Sequence, residues 1–328
     1  MTHDELRKSS RRVQLSFQHF VENESLTIPL PGHGETWRRF EVLASEAAAD
    51  LSAGRLIEGH VDALAILAEA RMKTFEESAT YGVWAARTPS GGTMADVVPG
   101  GWLLSGSKPF CSGSGIIDRA LVTAQAPDGY RLFDISLKDH VARVHEDSWP
   151  AIGMADSQSH TLEFGGPVIT ENHAVGPPGF YMNRPGFSFG AAGVAACWFG
   201  GAVGLVDALV DSLADEPSEH VLSDLGLSVA RLAAMREVLR SVANAIDIDP
   251  EDSSRKAHFR SLVARQVVHD GALEVLERVA SAGGARPLCH DEVQSRRAAD
   301  LFVYLSQHHG GSDAAQLGKL AKDSRSWL

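Results

Sequence analysis

Positive charge is scarce in this chain of 328 residues: 30 Lys and Arg stand against 42 Asp and Glu, a formal net charge of −12. No basic stripe is present to neutralise phosphates, which argues against nucleic acid and anionic membranes as main partners. Cysteine is scarcer still. Cys111, Cys197 and Cys289 are far apart and odd in number, and no Cys-x-x-Cys pair occurs, so neither a disulfide framework nor a zinc ribbon is indicated. The N-terminal stretch lacks the apolar run of a signal peptide, and no uninterrupted apolar run reaches the ~20 residues of a spanning helix. A cytoplasmic protein without a membrane span is therefore expected. Asn23-Glu24-Ser25 fits a glycosylation sequon, but in that setting it reads as chance.

Familiar catalytic signatures are missing too. There is no His-Glu-x-x-His, Gly-x-Ser-x-Gly or phosphate-loop sequence. Gly200, Gly201 and Gly204 are wrongly spaced for a dinucleotide fingerprint and no strand precedes them, so close helix packing is the better reading. Asp247, Asp249, Glu251 and Asp252 lack the glycine and distal glutamate of a calcium loop and read as a solvated acidic turn.

What is present is an ordinary globular composition, 44% hydrophobic and 22% charged, with length enough for two or three structural units. Spacings of three and four mark helices with Trp37, Phe40, Leu43 and Ala47 behind a Thr36 cap, then from Leu56 to Lys73. From Tyr81 the pattern changes to short apolar runs between Gly, Pro, Asp and Ser: Tyr81–Ala86, Gly101–Leu104, Arg119–Thr123, Tyr130–Ile135, Ala142–His145, Thr161–Phe164 and Pro167–Ile169. Helices return at Phe187–Leu213, Leu222–Ile246, Ser254–Ala280, Asp291–His309 and Ala314–Asp323. The fold expected is α+β and mostly α. An N-terminal helical domain (1–78) precedes a central antiparallel β-barrel or sandwich domain (79–178) and a C-terminal helical bundle (179–328).

The stretch Gly100–Gly115, GGWLLSGSKPFCSGSG, stands out within the β-region. A short strand, a Ser-Gly turn and a lysine lead into a polar, glycine-rich segment around Phe110, Cys111 and Ser112. Such a segment suits the floor of a site for a flat cofactor. It resembles the acyl-CoA dehydrogenase superfamily segment in which a lysine is followed by an aromatic, a small polar pair and glycine. Three further stretches share the resemblance: Gly153–Phe164 running on to Val175-Gly176, Gly200–Leu205, and Gly283-Gly284. With the order helices, β-domain, helical bundle, these stretches make the chain resemble a divergent, shortened member of that superfamily from about residue 35 to 320.

The resemblance implies FAD in a cleft between the β-domain and the C-terminal helices. Trp84, Ala85 and Ala86 would correspond to the first flavin-edge strand, and Phe110, Cys111 and Ser112 to the second. Ser112 would donate near the flavin N5 and Phe110 would form a wall, with Gly283 and Gly284 counted among the cofactor-binding residues. Taken without the resemblance, Trp84 and Phe110 read as core residues of a β-domain. The chain departs from the family pattern in three places. Ala85-Ala86-Arg87-Thr88-Pro89-Ser90-Gly91-Gly92 replaces a Thr-Glu-Pro-x-x-Gly-Ser segment. No Arg-x-x-Phe-Gly follows Asp211 to grip a pyrophosphate. The two positions for a carboxylate base fall at Val194 and in Ser306-Gln307-His308-His309.

A histidine can replace a carboxylate as base, since its ordinary pKa of about 6.5 suits proton transfer. The stripe Ala298, Leu301, Leu305, His308 points His308 inward, and His309 extends the neighbouring stripe; both could instead be surface or C-capping groups. The resemblance implies a flavin-dependent oxidoreductase that dehydrogenates an acyl thioester, on CoA or a carrier protein, and that assembles as a homodimer or homotetramer. The alternatives are a flavin-dependent monooxygenase of the same superfamily, some of which use a histidine in this region, and a flavin-free scaffold.

Overall fold

A computed structural model describes residues 3–76, 78–87, 92–139 and 141–323. The protein is α+β. In chain order it contains α1 (His3–Asn23), α2 (Thr36–Ala49), α3 (Leu51–Glu69), β1 (Tyr81–Trp84), β2 (Met94–Val98), β3 (Gly101–Cys111), β4 (Arg119–Ala126), β5 (Gly129–Ser136), β6 (Ala142–His145), β7 (His160–Phe164), β8 (Ala174–Val175), α4 (Phe180–Asn183), α5 (Gly186–Asp211), α6 (Glu219–Ile248), α7 (Ala257–Gly283), α8 (Ala285–His290), α9 (Glu292–Leu305) and α10 (Gly310–Asp323). They form two compact units. One comprises Met1–Ile28, Arg55–Ala151 and Ala155–Phe187; the other comprises Pro29–Gly54, Ile152–Met154 and Ser188–Leu328.

The first unit is built on an eight-stranded sheet in the order β6-β7-β3-β2-β4-β5-β8, with β1 also on β4. β4 is buried at every residue but Gln125, which is why it reads as a continuous apolar run rather than an alternation. Its face packs Leu121 with Tyr81, Leu132 and Val175 against Ala63, Ile66 and Leu67 of α3. The expectation of a purely antiparallel domain needs correction, because β1 runs parallel to β4 in register Tyr81↔Arg119 to Trp84↔Val122. β1 and β4 are separated in sequence by a hairpin, β2–β3, which lets the chain return in the same direction.

β3 is longer than its apolar run. Its first half pairs with β2 and its second half with β7, and the changeover falls at Ser105-Gly106. The Ser-Gly pair is therefore no turn. Gly106 has φ +84, and a Cβ there would lie 2.4 Å from the Gly92 carbonyl oxygen, so the strand can pass only with glycine at this point. β2 escapes notice in the sequence because Ala95 is its one buried residue. Pro167–Ile169 is not a strand; Ile169 makes a single bridge to Trp102.

The second unit is helical. α5 is buried along most of its length, and Gly200 and Gly204 lie so close to α2 that a Cβ would meet the carbonyl oxygens of Ala44 and Ala48. Close packing is thus the use of these glycines. α5 is also the one helix among the described residues long and apolar enough to cross a membrane, by length and composition alone, with 67% of its most apolar window buried within the protein. Thr36 is the first residue of α2 rather than its cap. The Asp247 carboxylate performs that task, accepting from the Gly34 N–H, the Thr36 N–H and the Thr36 hydroxyl. The acidic turn after α6 serves α7 in the same way. Asp249 accepts from the Ser253 and Ser254 amides, and Asp252 from those of Lys256 and Ala257, satisfying amides that would otherwise be orphaned at a helix start.

Candidate functional site

Two groups of buried polar residues include the residues singled out from the sequence, one in each unit. The first surrounds the end of β3. The ladder between β3 and β7 shifts between Lys108 and Cys111, and Phe110 sits in the shift with φ +59. A left-handed φ is costly for a bulky residue and marks a place where the fold imposes a direction. Here it turns the Phe110 ring outward: the residue is 61% exposed and meets Trp149 edge-on at 6.3 Å. Cys111, its neighbour, is fully buried. Its thiol donates to the Lys108 carbonyl oxygen, and burial pushes its pKa up to about 12, so it is no nucleophile.

Trp84 is buried at the end of β1, and its indole N–H donates to the Ser112 carbonyl oxygen at 3.0 Å, pinning the turn beyond β3. Ala85 and Ala86 leave the sheet there, half-buried. The Ala86 carbonyl oxygen accepts from Lys108 Nζ at 3.2 Å, and Lys108 also donates to Thr123 Oγ1 at 3.1 Å. Burial lowers the Lys108 amine to about 8. The segment that follows Arg87, Thr88-Pro89-Ser90-Gly91, lies outside the described residues.

Ser112 is buried, and its hydroxyl lies 2.8 Å from Ser159 Oγ, which in turn lies 2.8 Å from Ser157 Oγ. Each hydroxyl has one hydrogen to give. If Ser157 donates to Ser159 and Ser159 to Ser112, the Ser112 O–H is left to donate elsewhere. Beside this chain, Ser114 Oγ donates to the Gln158 carbonyl oxygen and contacts His160 Nδ1 at 2.8 Å.

The second group lies in the helical unit. α9 ends at Leu305, earlier than the sequence pattern suggests, and Ser306-Gln307 turn the chain so that His308 faces inward. The His308 side chain is fully buried. Its Nε2 lies 3.1 Å from Gln266 Oε1 on α7, its Nδ1 lies 3.4 Å from Asp313 Oδ2 on α10, and its ring packs at 4.5 Å on His269. Trp198 of α5 meets His308, His269 and Tyr304 edge-on, and the Arg265 guanidinium covers its other contact surface at 4.6 Å. Burial lowers the His308 pKa, with His269 and Arg265 acting in the same direction and Asp313 and Asp270 against it. The imidazole is therefore neutral at pH 7, the form that accepts a proton.

His309, by contrast, is exposed, and its backbone carbonyl receives the Asp313 amide at the start of α10. Gly283 and Gly284 close α7, Gly284 with φ +63. They are 17 and 18 residues beyond Gln266, about 25 Å along the helix at 1.5 Å per residue. Val194 is half-buried and Ala195 fully buried on α5, with no carboxylate at either. The carboxylate that does stand at His308 is Asp313. It was missed because α10 supplies it after a turn, and no single helical stripe joins the two. Gln266 and His269 were missed for a similar reason, although residues 265, 266 and 269 form a polar stripe at helical spacing within the otherwise largely buried α7. Ser157 ends a three-residue 3-10 turn and Ser159 follows it, a stretch too short to carry a periodic signal.

No family model matches the chain. A dibenzothiophene monooxygenase of Mycolicibacterium goodii is 26% identical over 176 residues, which are 47% of this chain and 42% of that protein. The match thus spans less than half of either. Among solved structures, TdsC of Paenibacillus sp. A11-2 in complex with FMN and indole superposes with a TM-score of 0.77 and 19% identity, covering 96% of each chain. Methanesulfinate monooxygenase MsuC of Pseudomonas fluorescens superposes with a TM-score of 0.78 and 16% identity, covering 99% of this chain and 98% of that one. At such identities the likeness shows the fold, which is shared with flavin-dependent monooxygenases. The resemblance to a divergent acyl-CoA dehydrogenase is overturned on this ground: the relative and the structural neighbours are monooxygenases of acyl-CoA dehydrogenase-like fold.

Proposed function

We propose that the chain is a flavin-dependent monooxygenase that takes reduced FMN from a separate reductase. The observation that carries this reading is the fold shared with monooxygenases, in which this chain sets a buried, neutral His308 able to exchange a proton. An imidazole can act as base in either chemistry, so the choice of oxygen insertion over α,β-dehydrogenation follows the relative and the shared fold rather than the base. The partial identity to a dibenzothiophene monooxygenase supports the same reading.

The residues of the first unit fit a flavin by the chemistry of their donor set. Phe110 offers an outward apolar face, and Ser112 has a hydroxyl that its serine chain can leave free to donate to a polar ring edge. FMN is preferred over the FAD expected from the sequence. The chain has no Arg-x-x-Phe-Gly to compensate a pyrophosphate, and TdsC is the complex of a neighbour with FMN. Bound reduced flavin would supply the electrons and activate dioxygen. Within the first unit Trp84 fixes the Ser112 main chain and Ser112 would orient the ring edge; within the second, His308 offers a neutral ring nitrogen for proton exchange, in surroundings that keep water away.

The test is oxygen labelling. Dibenzothiophene and indole, taken from the names of the relative and the neighbour, are the first compounds to try. With NADH, a flavin reductase, FMN and 18O2, one labelled oxygen atom is expected in the product. Loss of that product in His308→Asn, with reduced FMN still bound, is expected too. Unlabelled or absent product across a panel of aromatic heterocycles, or undiminished product in His308→Asn, overturns the reading.

A further inference from the structure

The proton positions around His308 can be assigned from what each neighbour is able to give. Gln266 Nε2 lies 2.9 Å from both carboxylate oxygens of Asp270, one turn further along α7. Burial raises the Asp270 pKa, but hydrogen bonds from Gln266 and His269 outweigh it and hold the carboxyl below its usual range. Asp270 is therefore ionised at neutral pH and can only accept. A flipped Gln266 amide would set its oxygen against both carboxylate oxygens. Asp270 thus fixes which end of the amide faces it, and the end left for His308 is Oε1, an acceptor without a hydrogen. The ring nitrogen 3.1 Å from that oxygen, Nε2, must carry the hydrogen.

The other ring nitrogen faces a competing partner. His308 Nδ1 is buried, makes no hydrogen bond among the described residues, and lies 3.4 Å from the Asp313 carboxylate. Left to itself, Asp313 would draw the hydrogen to Nδ1, since a charge-assisted bond is stronger than a neutral one. That bond is not made in the structure, whereas the bond to Gln266 is. The two neighbours thus pull the single hydrogen to opposite sides of the ring, and Gln266 has the better geometry. His269 and Arg265 from α7, and Asp313 from α10, are the other charged or titratable groups facing the ring; Trp198 from α5 contributes only its edge.

We infer that Gln266, oriented by Asp270, is a positioning residue that holds the His308 hydrogen on Nε2 and leaves Nδ1 as the nitrogen that accepts the proton in turnover. The tautomer assignment stands on the hydrogen-bond pattern, and its use in turnover rests on the monooxygenase reading. Nδ1 suits the role. When it takes a proton, the new cation faces Asp313, so the charge is formed beside a carboxylate already in place. The Asp270–Gln266–His308 chain keeps that nitrogen unprotonated between turnovers.

The experiment is long-range 1H–15N correlation spectroscopy of the full chain with labelled histidine, the His308 signals being assigned by their loss in His308→Asn. At a pH where the ring is neutral, Nε2 should appear as the protonated, pyrrole-type nitrogen and Nδ1 as the bare, pyridine-type one. In Gln266→Leu the pattern should invert or mix, and kcat/KM should fall on the order of 10²-fold, the scale of a mispositioned general base. A protonated Nδ1 in the wild type overturns the assignment, as does an unchanged tautomer in Gln266→Leu. If the tautomer is as assigned while His308→Asn leaves turnover intact, the failure belongs to the functional reading and to Nδ1 as the accepting atom, and the role of Gln266 in setting the tautomer survives.

Discussion

Asp300→Asn should make the protein more stable at pH 8 and leave it no more stable at pH 4. Asp300 lies on α9, is 4% exposed, and accepts the Met154 amide at 2.5 Å. Burial raises its pKa from 3.8 to about 6, with the Met154 hydrogen bond and Arg296 pulling it down and Asp50 pushing it up. The folded protein thus holds this proton more tightly than the unfolded chain does. Its contribution is fully present below the unfolded pKa, declines as pH rises through the window from 3.8 to about 6, and is gone above it. A shift of about two units corresponds to about 3 kcal/mol at 1.36 kcal/mol per unit. Asparagine stays neutral and its Oδ1 can still accept from Met154. The attraction to Arg296, at 3.6 Å, is lost. A net gain of about 1–3 kcal/mol at pH 8 follows, or roughly 2–4 °C in Tm for each kcal/mol in a unit of this size. Urea unfolding at pH 4, 6 and 8 measures it. Equal destabilisation of Asp300→Asn at all three pH values would refute the reasoning, because it would show that the carboxylate is not charged at a cost.

Three other tests probe the first unit. Lys108 has a pKa lowered by burial to about 8, so the wild type should gain stability as pH rises from about 8 towards 10.5, and Lys108→Met should lack that rise in the same urea titrations. Arg119→Met should cost about 3–5 kcal/mol, because it strands the fully buried Asp134 carboxylate that now receives Arg119 Nε at 2.8 Å; Arg119→Met with Asp134→Leu should recover much of the loss. Ser112→Ala should keep the fold, costing about 1 kcal/mol for the bond to Ser159, yet weaken reduced FMN by about five- to tenfold in an anaerobic titration.

Much of the fold was legible because its strands and helices are locally consistent. β4 is continuous and apolar, and α5 is glycine- and alanine-rich where another helix must come close. What was not legible depended on neighbours remote in sequence. β2 is a strand by pairing rather than by pattern, and Ser105-Gly106 looks like a turn until β7 is placed beside it. The same divide runs through the site. His308 could be named because a stripe extended past Leu305 leads to it, although a turn after α9 is what faces it inward, and Ser112 because a glycine-rich segment surrounds it. Their partners could not. Gln266 stands 42 residues before His308, and Ser159 stands 47 after Ser112. Only the packed chain brings each pair within hydrogen-bond distance. Phe110 was read as a cofactor wall or as a core residue; a φ of +59 turns its ring outward, so it is no core residue.

The central claim, a site for reduced flavin in this chain, is tested most directly by anaerobic fluorescence titration of the purified protein with FMN reduced by dithionite, beside oxidised FMN and reduced FAD. Saturable binding of reduced FMN, tighter than that of either comparator and weakened by Ser112→Ala, is the expected result. No saturable binding of reduced FMN would contradict the account.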